Sequence, residues 1–119
     1  MDIFPLKYGC SSEKDINWGN LVPEITFVLY LCNAIKEYID TEIIADQAAR
    51  TYPNTFLTKI GERKIPDTYI IVMVLKEAKS KKWHYVRGNW VKGWKLTKEG
   101  IKFAKDVERR KLKKDSKIN

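Results

Sequence analysis

The chain has 119 residues, of which 44% are hydrophobic and 32% are charged. This balance is typical of one small globular domain and excludes a disordered tail. The longest apolar stretches, residues 27–32 and 69–75, are much shorter than the roughly 20 residues that span a bilayer. The first residues lack the basic and apolar regions of a secretory signal. We therefore expect a soluble protein of the cytoplasm.

The net charge of +8 is unevenly distributed along the chain. Residues 1–58 have 4 basic and 8 acidic side chains, whereas residues 59–119 have 19 basic and 7 acidic side chains. Such asymmetry indicates a face that binds an anionic partner. Because 18 of the 23 basic residues are lysines, a surface that only keeps the protein soluble is the alternative.

The content of histidine and cysteine limits the possible chemistry. The chain has one histidine, His84, and two cysteines, Cys10 and Cys32, at a spacing that matches no local metal-binding or redox motif. We interpret Cys32 as a small core residue and both thiols as free. The sequence contains no nucleophile elbow, zinc-protease motif or phosphate-binding loop. We therefore expect no enzymatic activity, no metal and no cofactor.

The first part of the chain predicts an irregular arm followed by a helix. Residues 1–22 have no sustained hydrophobic periodicity. From Pro23 onward, apolar residues recur every three or four positions, which predicts an amphipathic helix that ends near Asp40. Its apolar stripe consists of Ile25, Val28, Leu29, Cys32, Ile35 and Ile39.

A second helix is predicted to follow directly. Thr41 is a suitable N-cap, and the helix must stop by Tyr52 because the residue before Pro53 resists the helical conformation. Residues 53–66 are interpreted as a connection with a short helical turn within residues 54–60.

A third helix is predicted from Asp67 or Thr68, either of which can cap it, to Lys82. Its buried face, given by helical spacing, consists of Ile71, Val74 (or Leu75) and Ala78. The residues left on its outer face are Thr68, Tyr69, Val72, Lys76 and Lys79.

An aromatic hairpin is predicted next, over residues 83–96, with its turn at residues 87–89. Its aromatic residues alternate with basic ones, and we interpret them mainly as cross-strand pairs that close the hairpin on the core. The alternative is a surface on which the bases of single-stranded nucleic acid stack. The aromatic residues are Trp83, Tyr85, Trp90 and Trp94.

The last helix is predicted to begin at Thr97, which can cap it. Its expected buried face contains Ile101, Ala104 and Val107, together with Phe103. Beyond Glu108 the sequence is mostly charged, and we expect the helix to fray there.

The residues at the end of the hairpin carry a resemblance to a known family. Residues 94–104, WKLTKEGIKFA, resemble the end of the wing and the start of the last helix in winged-helix proteins, including the MarR and PadR regulators. In this pattern Leu96 ends the wing strand in the core, Thr97 caps the helix, and Gly100 allows a close approach to a neighbouring element.

The resemblance covers about residues 24–108 and implies an α+β, mostly α, winged helix-turn-helix fold. This fold has a three-helix core, a β-hairpin wing and a C-terminal helix. We expect residues 1–22 to form an N-terminal arm, residues 23–108 the winged-helix domain, and residues 109–119 a basic tail.

The resemblance also implies a function, namely binding of double-stranded DNA by a homodimeric transcriptional regulator. The third helix would be the recognition helix, its end would hold phosphates, and the hairpin would be the wing. The implied DNA-binding residues are Thr68, Tyr69, Lys76 and Lys79 on the helix, Lys81 and Lys82 after it, and Arg87, Asn89, Lys92 and Lys95 on the wing.

Two alternatives stay open. The predicted recognition helix is apolar and lacks the residue types that usually contact base edges in its first two turns. Its composition equally suits a winged-helix interaction or dimerisation module that binds protein and no DNA. The hairpin aromatics suit an RNA or single-strand binder.

Overall fold

The computed structural model describes residues 17–118, with side chains described as far as Lys111. This part is α+β and mostly helical, and a 3-10 turn, Trp18–Leu21, leads into the first helix. Residues 1–16 of the predicted N-terminal arm, including Cys10, lie outside the described residues. The helices described are α1 Val22–Leu31, α2 Thr41–Thr51, α3 Pro53–Phe56, α4 Thr68–Lys79 and α5 Lys98–Ile118, and the strands are β1 Leu57–Ile60, β2 Arg63–Pro66, β3 Val86–Asn89 and β4 Gly93–Leu96.

Helix α1 is shorter than the apolar periodicity predicts. It ends at Leu31 rather than near Asp40, and Asn33 then adopts a left-handed φ of 62°. Asparagine tolerates this conformation, which turns the chain away from the helix axis. The prediction is wrong because the residues that follow pair with a distant strand.

Residues 34–39 contact β4 instead of continuing the helix. The N–H of Leu96 donates to the carbonyl of Ala34 at 2.8 Å, and Ile39 exchanges two backbone hydrogen bonds of 2.9 Å with Trp94. These bonds satisfy backbone groups that a longer helix would have satisfied internally. The segment thereby adds a short antiparallel bridge to the edge of the β3–β4 hairpin.

Helix α2 begins at Thr41, but Thr41 does not cap it. Asp40 occupies the N-cap position, and the Thr41 hydroxyl accepts a hydrogen bond of 2.9 Å from the indole Nε1 of Trp94. The capping prediction is wrong because a buried indole N–H requires an acceptor, which Thr41 supplies.

The connection between α2 and α4 contains a β-hairpin that the sequence does not predict. After the single turn of α3, β1 and β2 pair antiparallel, with Leu57 opposite Pro66 and Ile60 opposite Arg63. Gly61, with a φ of 64°, lies in the tight turn between the strands. We call this the first hairpin and the β3–β4 hairpin the second hairpin. In strands of four residues the alternation of apolar and polar residues is hard to detect, and the first hairpin lacks the aromatic residues that indicate the second.

Helix α4 has one of the two predicted caps, because the Asp67 carboxylate accepts a hydrogen bond from the Ile70 N–H at 3.2 Å. The helix ends at Lys79, three residues earlier than predicted. The reason is that Ser80 leaves the helical conformation, while its hydroxyl donates to the carbonyl of Glu77 at 2.7 Å.

The outer face of α4 is smaller than predicted. Val72, expected on this face, is only 9% exposed and belongs to the core, and Thr68 is half-buried. Helical spacing alone gives only the centre of the buried face, and packing by neighbouring elements widens it. Tyr69, Lys76 and Lys79 are the residues of the predicted set that remain exposed on the helix.

The second hairpin turns at residues 90–92, not at the predicted residues 87–89. Arg87 pairs with Lys95 and Asn89 with Gly93, so the predicted turn residues belong to β3. The side chain of Asn89 accepts a hydrogen bond from the Lys92 N–H at 2.7 Å and thereby closes the loop one step later.

The start of α5 confirms three predictions made from the sequence. Leu96 ends β4 in the core, where it is 2% exposed. The Thr97 hydroxyl accepts a hydrogen bond from the Gly100 N–H at 3.0 Å. Gly100 lies so close to the residue that precedes β3 that a Cβ at this position would overlap the carbonyl oxygen of Tyr85.

Helix α5 is longer than predicted and continues to Ile118 rather than fraying beyond Glu108. Asp106 forms ion pairs with Arg109 and Arg110 at 3.6 and 2.8 Å. Ion pairs at this spacing support a helix that extends into solvent.

The core lies between α1, α2, α4 and the second hairpin. Helix α2 runs from the second hairpin to the first, and α4 runs back. The two hairpins therefore lie at opposite ends of α4, which is about 18 Å long at the rise per residue of an α-helix. No helix among the described residues combines the length and apolar character that a membrane span requires. The largest buried side chains are Trp94, Phe56, Ile25, Leu29, Ile44, Ile71, Leu75 and Leu96.

Candidate nucleic-acid interface

Three residues from three neighbouring segments form a row across the exposed face of the second hairpin. Arg87 of β3 lies directly opposite Lys95 of β4. Because Ile39 bridges Trp94, antiparallel register puts Tyr38 on the other side of Lys95. Side chains alternate between the two faces of a sheet, so this row points away from the core that Trp94 fills.

Two lysine ammonium groups lie over the ring of Tyr38. The ammonium of Lys92 lies 4.4 Å and that of Lys95 5.4 Å from the ring centroid. The Lys95 ammonium also donates to the carbonyl of Lys36 at 3.2 Å, which fixes its position. Contacts of this kind hold a cation over the electron-rich face of the ring.

The pKa of Tyr38 reflects this concentration of charge. Burial raises the pKa of the phenol, but the hydrogen bond from Lys92 and the charges of Lys92, Arg87 and Lys95 outweigh burial and lower it below its ordinary value. A cationic environment favours the anionic phenolate. The same environment attracts any other anion that reaches this surface.

Lys79 connects α4 to the same surface. Its ammonium donates to the carbonyl of Gly88 in β3 at 2.6 Å, and it lines a cleft of about 440 Å³ together with Arg87. His84 and Lys98 line the cleft as well, and Glu99 is the acidic residue in its wall. We call the surface formed by Tyr38, Lys79, Arg87, Lys92 and Lys95 the cationic face.

Within the part of the chain from Asn17 to Lys111, no ion pair involves a residue of the cationic face. The ion pairs there join Arg50 to Asp46 and two α5 arginines to Asp106. Like charges placed opposite each other destabilise a hairpin. The pair Arg87 and Lys95 therefore costs stability that a bound anion would restore.

The structure brings together only part of the predicted DNA-binding set. Lys79, Arg87, Lys92 and Lys95 meet on the cationic face, whereas Asn89 uses its side chain to close the hairpin loop. For Thr68, Lys76, Lys81 and Lys82, the contacts of the part of the chain between Asn17 and Lys111 show none with this cluster, and Tyr69 contacts Trp18.

The start of α4 lies about 16 Å from Lys79 at the rise of a helix. There Tyr69 packs edge-on against Trp18, with 6.4 Å between ring centroids. After the helix, the Lys82 ammonium lies 5.4 Å from the centroid of the Trp83 ring. The residues predicted at the two ends of the recognition helix therefore lie far apart and have different neighbours.

The aromatic residues of the second hairpin divide into core and surface. Trp94 is buried, Trp83 donates to the Glu77 carboxylate at 2.8 Å, and Tyr85 stacks on Phe103 at 4.8 Å. These three pack in or against the core as predicted. They do not form the predicted cross-strand pairs, because Trp94 lies opposite Gly88 and the other two precede β3. Trp90 is 57% exposed and is the member of the set that faces solvent.

Tyr38 is the member of the cationic face that sequence reasoning missed. The predicted first helix included Tyr38 as part of its widened apolar stripe, so no binding role was predicted for it. Its position depends on the bridge between Ile39 and Trp94, which joins residues far apart in the chain. No local pattern in the sequence signals such a bridge.

Cys32 is a free thiol, as predicted, but it is half-buried against the core rather than inside it. Burial, with a smaller contribution from Asp46, raises its pKa to about 11, so the thiol is protonated at neutral pH. Among residues 17–111 no group of three His, Cys, Asp or Glu side chains is placed to hold a metal ion.

Comparison of the chain with models of protein families, with characterised proteins and with solved structures gives no match.

Proposed function

We propose that the protein is a winged-helix protein that binds double-stranded DNA through the cationic face. The element order supports this proposal, because α1, α2 and α4 are followed by the second hairpin and a last helix. The bridge at Ile39 pairs a third segment with that hairpin. The first hairpin stands where a helix-turn-helix has a turn of three or four residues.

The observation that carries the proposal is the opposition of Arg87 and Lys95, with Lys79 and Lys92 beside them and no ion-pair partner among the described carboxylates. Duplex DNA offers closely spaced phosphates that neutralise such a cluster, with release of counterions. Phosphate contacts fix position and carry no sequence information directly.

The exposed part of α4 supports contact with the DNA backbone more than base recognition. Lys76 and Lys79 are exposed on its second half, and lysine binds phosphate as a point charge. Val72 in the middle of the predicted reading face is buried. We therefore propose binding with modest sequence preference.

A homodimer that acts in transcription is part of the same proposal. Four cations on one surface support only weak binding, and a second copy on the same duplex raises the overall affinity through its effective concentration. Light scattering with and without a duplex tests this part, and a strictly monomeric complex contradicts it.

The experiment compares two charge reversals on the two hairpins. Arg87→Glu with Lys95→Glu reverses the opposed pair of the cationic face, and Lys59→Glu with Lys64→Glu reverses the opposed pair of the first hairpin. Both variants lower the net charge by four, so they separate a local site from an effect of overall charge.

Fluorescence anisotropy with a labelled duplex provides the measurement. Four phosphate contacts predict that the affinity of the wild type falls about 150-fold between 50 and 200 mM salt. We expect the first variant to lose duplex binding and the second to keep most of it. Equal losses in both variants, or no binding by the wild type at 50 mM salt, contradict the proposal.

A second candidate is the interaction module that binds protein and no DNA. Exposed apolar side chains on α1 and α2 favour it, with Leu31 43% and Ile43 55% exposed. A tight dimer without affinity for any duplex at low salt would select this candidate.

A further inference from the structure

The loop of the second hairpin presents two apolar side chains to solvent. Trp90 is 57% and Val91 is 91% exposed, and they are consecutive at the end of the hairpin. Single exposed apolar residues are common on protein surfaces, but a tryptophan and a valine together at a projecting tip indicate a contact surface.

The geometry holds this tip in place. Asn89 closes the loop through its hydrogen bond to the Lys92 N–H. On the other strand, Gly93 approaches the Ile39 carbonyl so closely that a Cβ at this position would lie 2.8 Å from its oxygen. The tip therefore projects from a hairpin that is anchored along both strands.

Acidic and basic groups both lie near the tip. Trp90 lines a small cleft with Asp40 and Glu42 at the start of α2. Lys92, the residue after Val91, belongs to the cationic face, with its ammonium over the ring of Tyr38. A polyanion held by the cationic face therefore reaches the tip beside Lys92.

We propose that Trp90 and Val91 insert as an apolar wedge between base pairs of the duplex that the cationic face holds, and kink that duplex. This inference rests on the proposed function. The flat faces of the bases are the apolar surface that a nucleic acid offers, and an indole stacks on them. Apolar wedges that partly unstack a base step in the minor groove kink duplexes by about 20–90°.

The test uses a duplex of about 30 base pairs with a fluorescence donor and acceptor at its ends. The wild type brings the ends closer and raises energy transfer. The double variant Trp90→Ser with Val91→Ser retains the cationic face, so it binds with the same salt dependence but at least about fivefold more weakly. It leaves energy transfer at the value of the free duplex.

Two control variants keep the test falsifiable. Trp90→Phe retains an aromatic face and is expected to bend the duplex, and Val91→Ser alone changes a side chain that is too exposed to affect folding. Energy transfer by the double variant equal to that of the wild type overturns the wedge. So does tighter binding to a single strand than to the duplex, or binding to anionic vesicles that depends on these two side chains.

The failure of the wedge and the failure of the proposed function give different results. If the wild type binds no duplex, or if reversal of Arg87 and Lys95 leaves binding intact, the proposed function itself is wrong. If binding and its salt dependence persist while no variant of the tip changes energy transfer, only the wedge is wrong.

Discussion

The indole Nε1 of Trp94 donates a hydrogen bond of 2.9 Å to the hydroxyl of Thr41, 53 positions earlier in the chain. Trp94 is 1% and Thr41 5% exposed, so water cannot replace either partner. This bond joins the second hairpin to the start of α2. It lies beside the bridge that holds Tyr38 on the cationic face.

Thr41→Val tests how much this bond stabilises the fold. The substitution preserves shape but leaves the buried indole N–H without an acceptor, which lowers the free energy of unfolding by about 1–3 kcal/mol. Urea denaturation measures the change. Thr41→Ser retains the hydroxyl and is expected to lose less; equal losses in the two variants would show that the methyl group, not the bond, is what matters.

Gly100→Ala tests the close approach at the start of α5. The added Cβ meets the backbone oxygen of Tyr85, which cannot move without shifting the segment that leads into β3. We expect the free energy of unfolding to fall by about 1–3 kcal/mol. Lys102→Ala, at an exposed position of the same helix, serves as the control and is expected to have no effect. An unchanged midpoint for Gly100→Ala contradicts the described contact.

The lowered pKa of Tyr38 provides a spectroscopic probe of the cationic face. Carbon NMR of labelled tyrosine follows the phenol, and Lys92→Met is expected to raise its pKa because a positive neighbour is removed. Lys76→Met, on α4, is the control. Ionised Tyr38 adds a negative charge to this face, so duplex affinity should fall as the pH rises through its pKa. If neither Lys92→Met nor added duplex changes the titration of the Tyr38 resonance, the proposed site is contradicted.

Glu42→Gln tests the influence of the acidic side of the hairpin tip. Glu42 lines the cleft beneath Trp90, where its charge repels phosphate. Its neutralisation is expected to raise duplex affinity about two- to fivefold at low salt, the range for one exposed charge interaction. Glu62→Gln, in the turn of the first hairpin, removes the same charge elsewhere. An equal gain in both variants would indicate an effect of net charge alone.

Local chemistry made part of this structure predictable from the sequence. The Asp67 cap, the Thr97 cap and the small residue at Gly100 each act within a few residues or require a specific residue type. Helical periodicity gives the centre of the buried face of α4 and, on α5, the buried Ala104, whereas the predicted Ile101, Phe103 and Val107 are only half-buried. The site residues Arg87 and Lys95 were predicted because the resemblance to winged-helix proteins implies that their hairpin is a wing.

The features that could not be predicted depend on distant partners. Leu31 ends α1 because the following segment pairs with β4, which no pattern within that segment reveals. The same pairing brings Tyr38 to the cationic face and diverts Thr41 from capping. The first hairpin has strands as short as those of the second but lacks its aromatic residues, so its sequence carries no comparable signal. Tertiary pairing, rather than local preference, decides each of these positions.

The opposed side chains of Arg87 and Lys95 predict that salt acts in opposite directions on the free protein and on the proposed complex with a duplex. Dissolved ions screen their mutual repulsion, so the free protein should unfold at a higher temperature at 500 mM than at 50 mM sodium chloride. The same ions compete with the duplex and weaken its binding. Arg87→Gln should make the unfolding temperature of the free protein less dependent on the salt concentration, as measured by thermal unfolding. Under the proposed function, the free protein is therefore most stable at the salt concentrations at which the duplex dissociates.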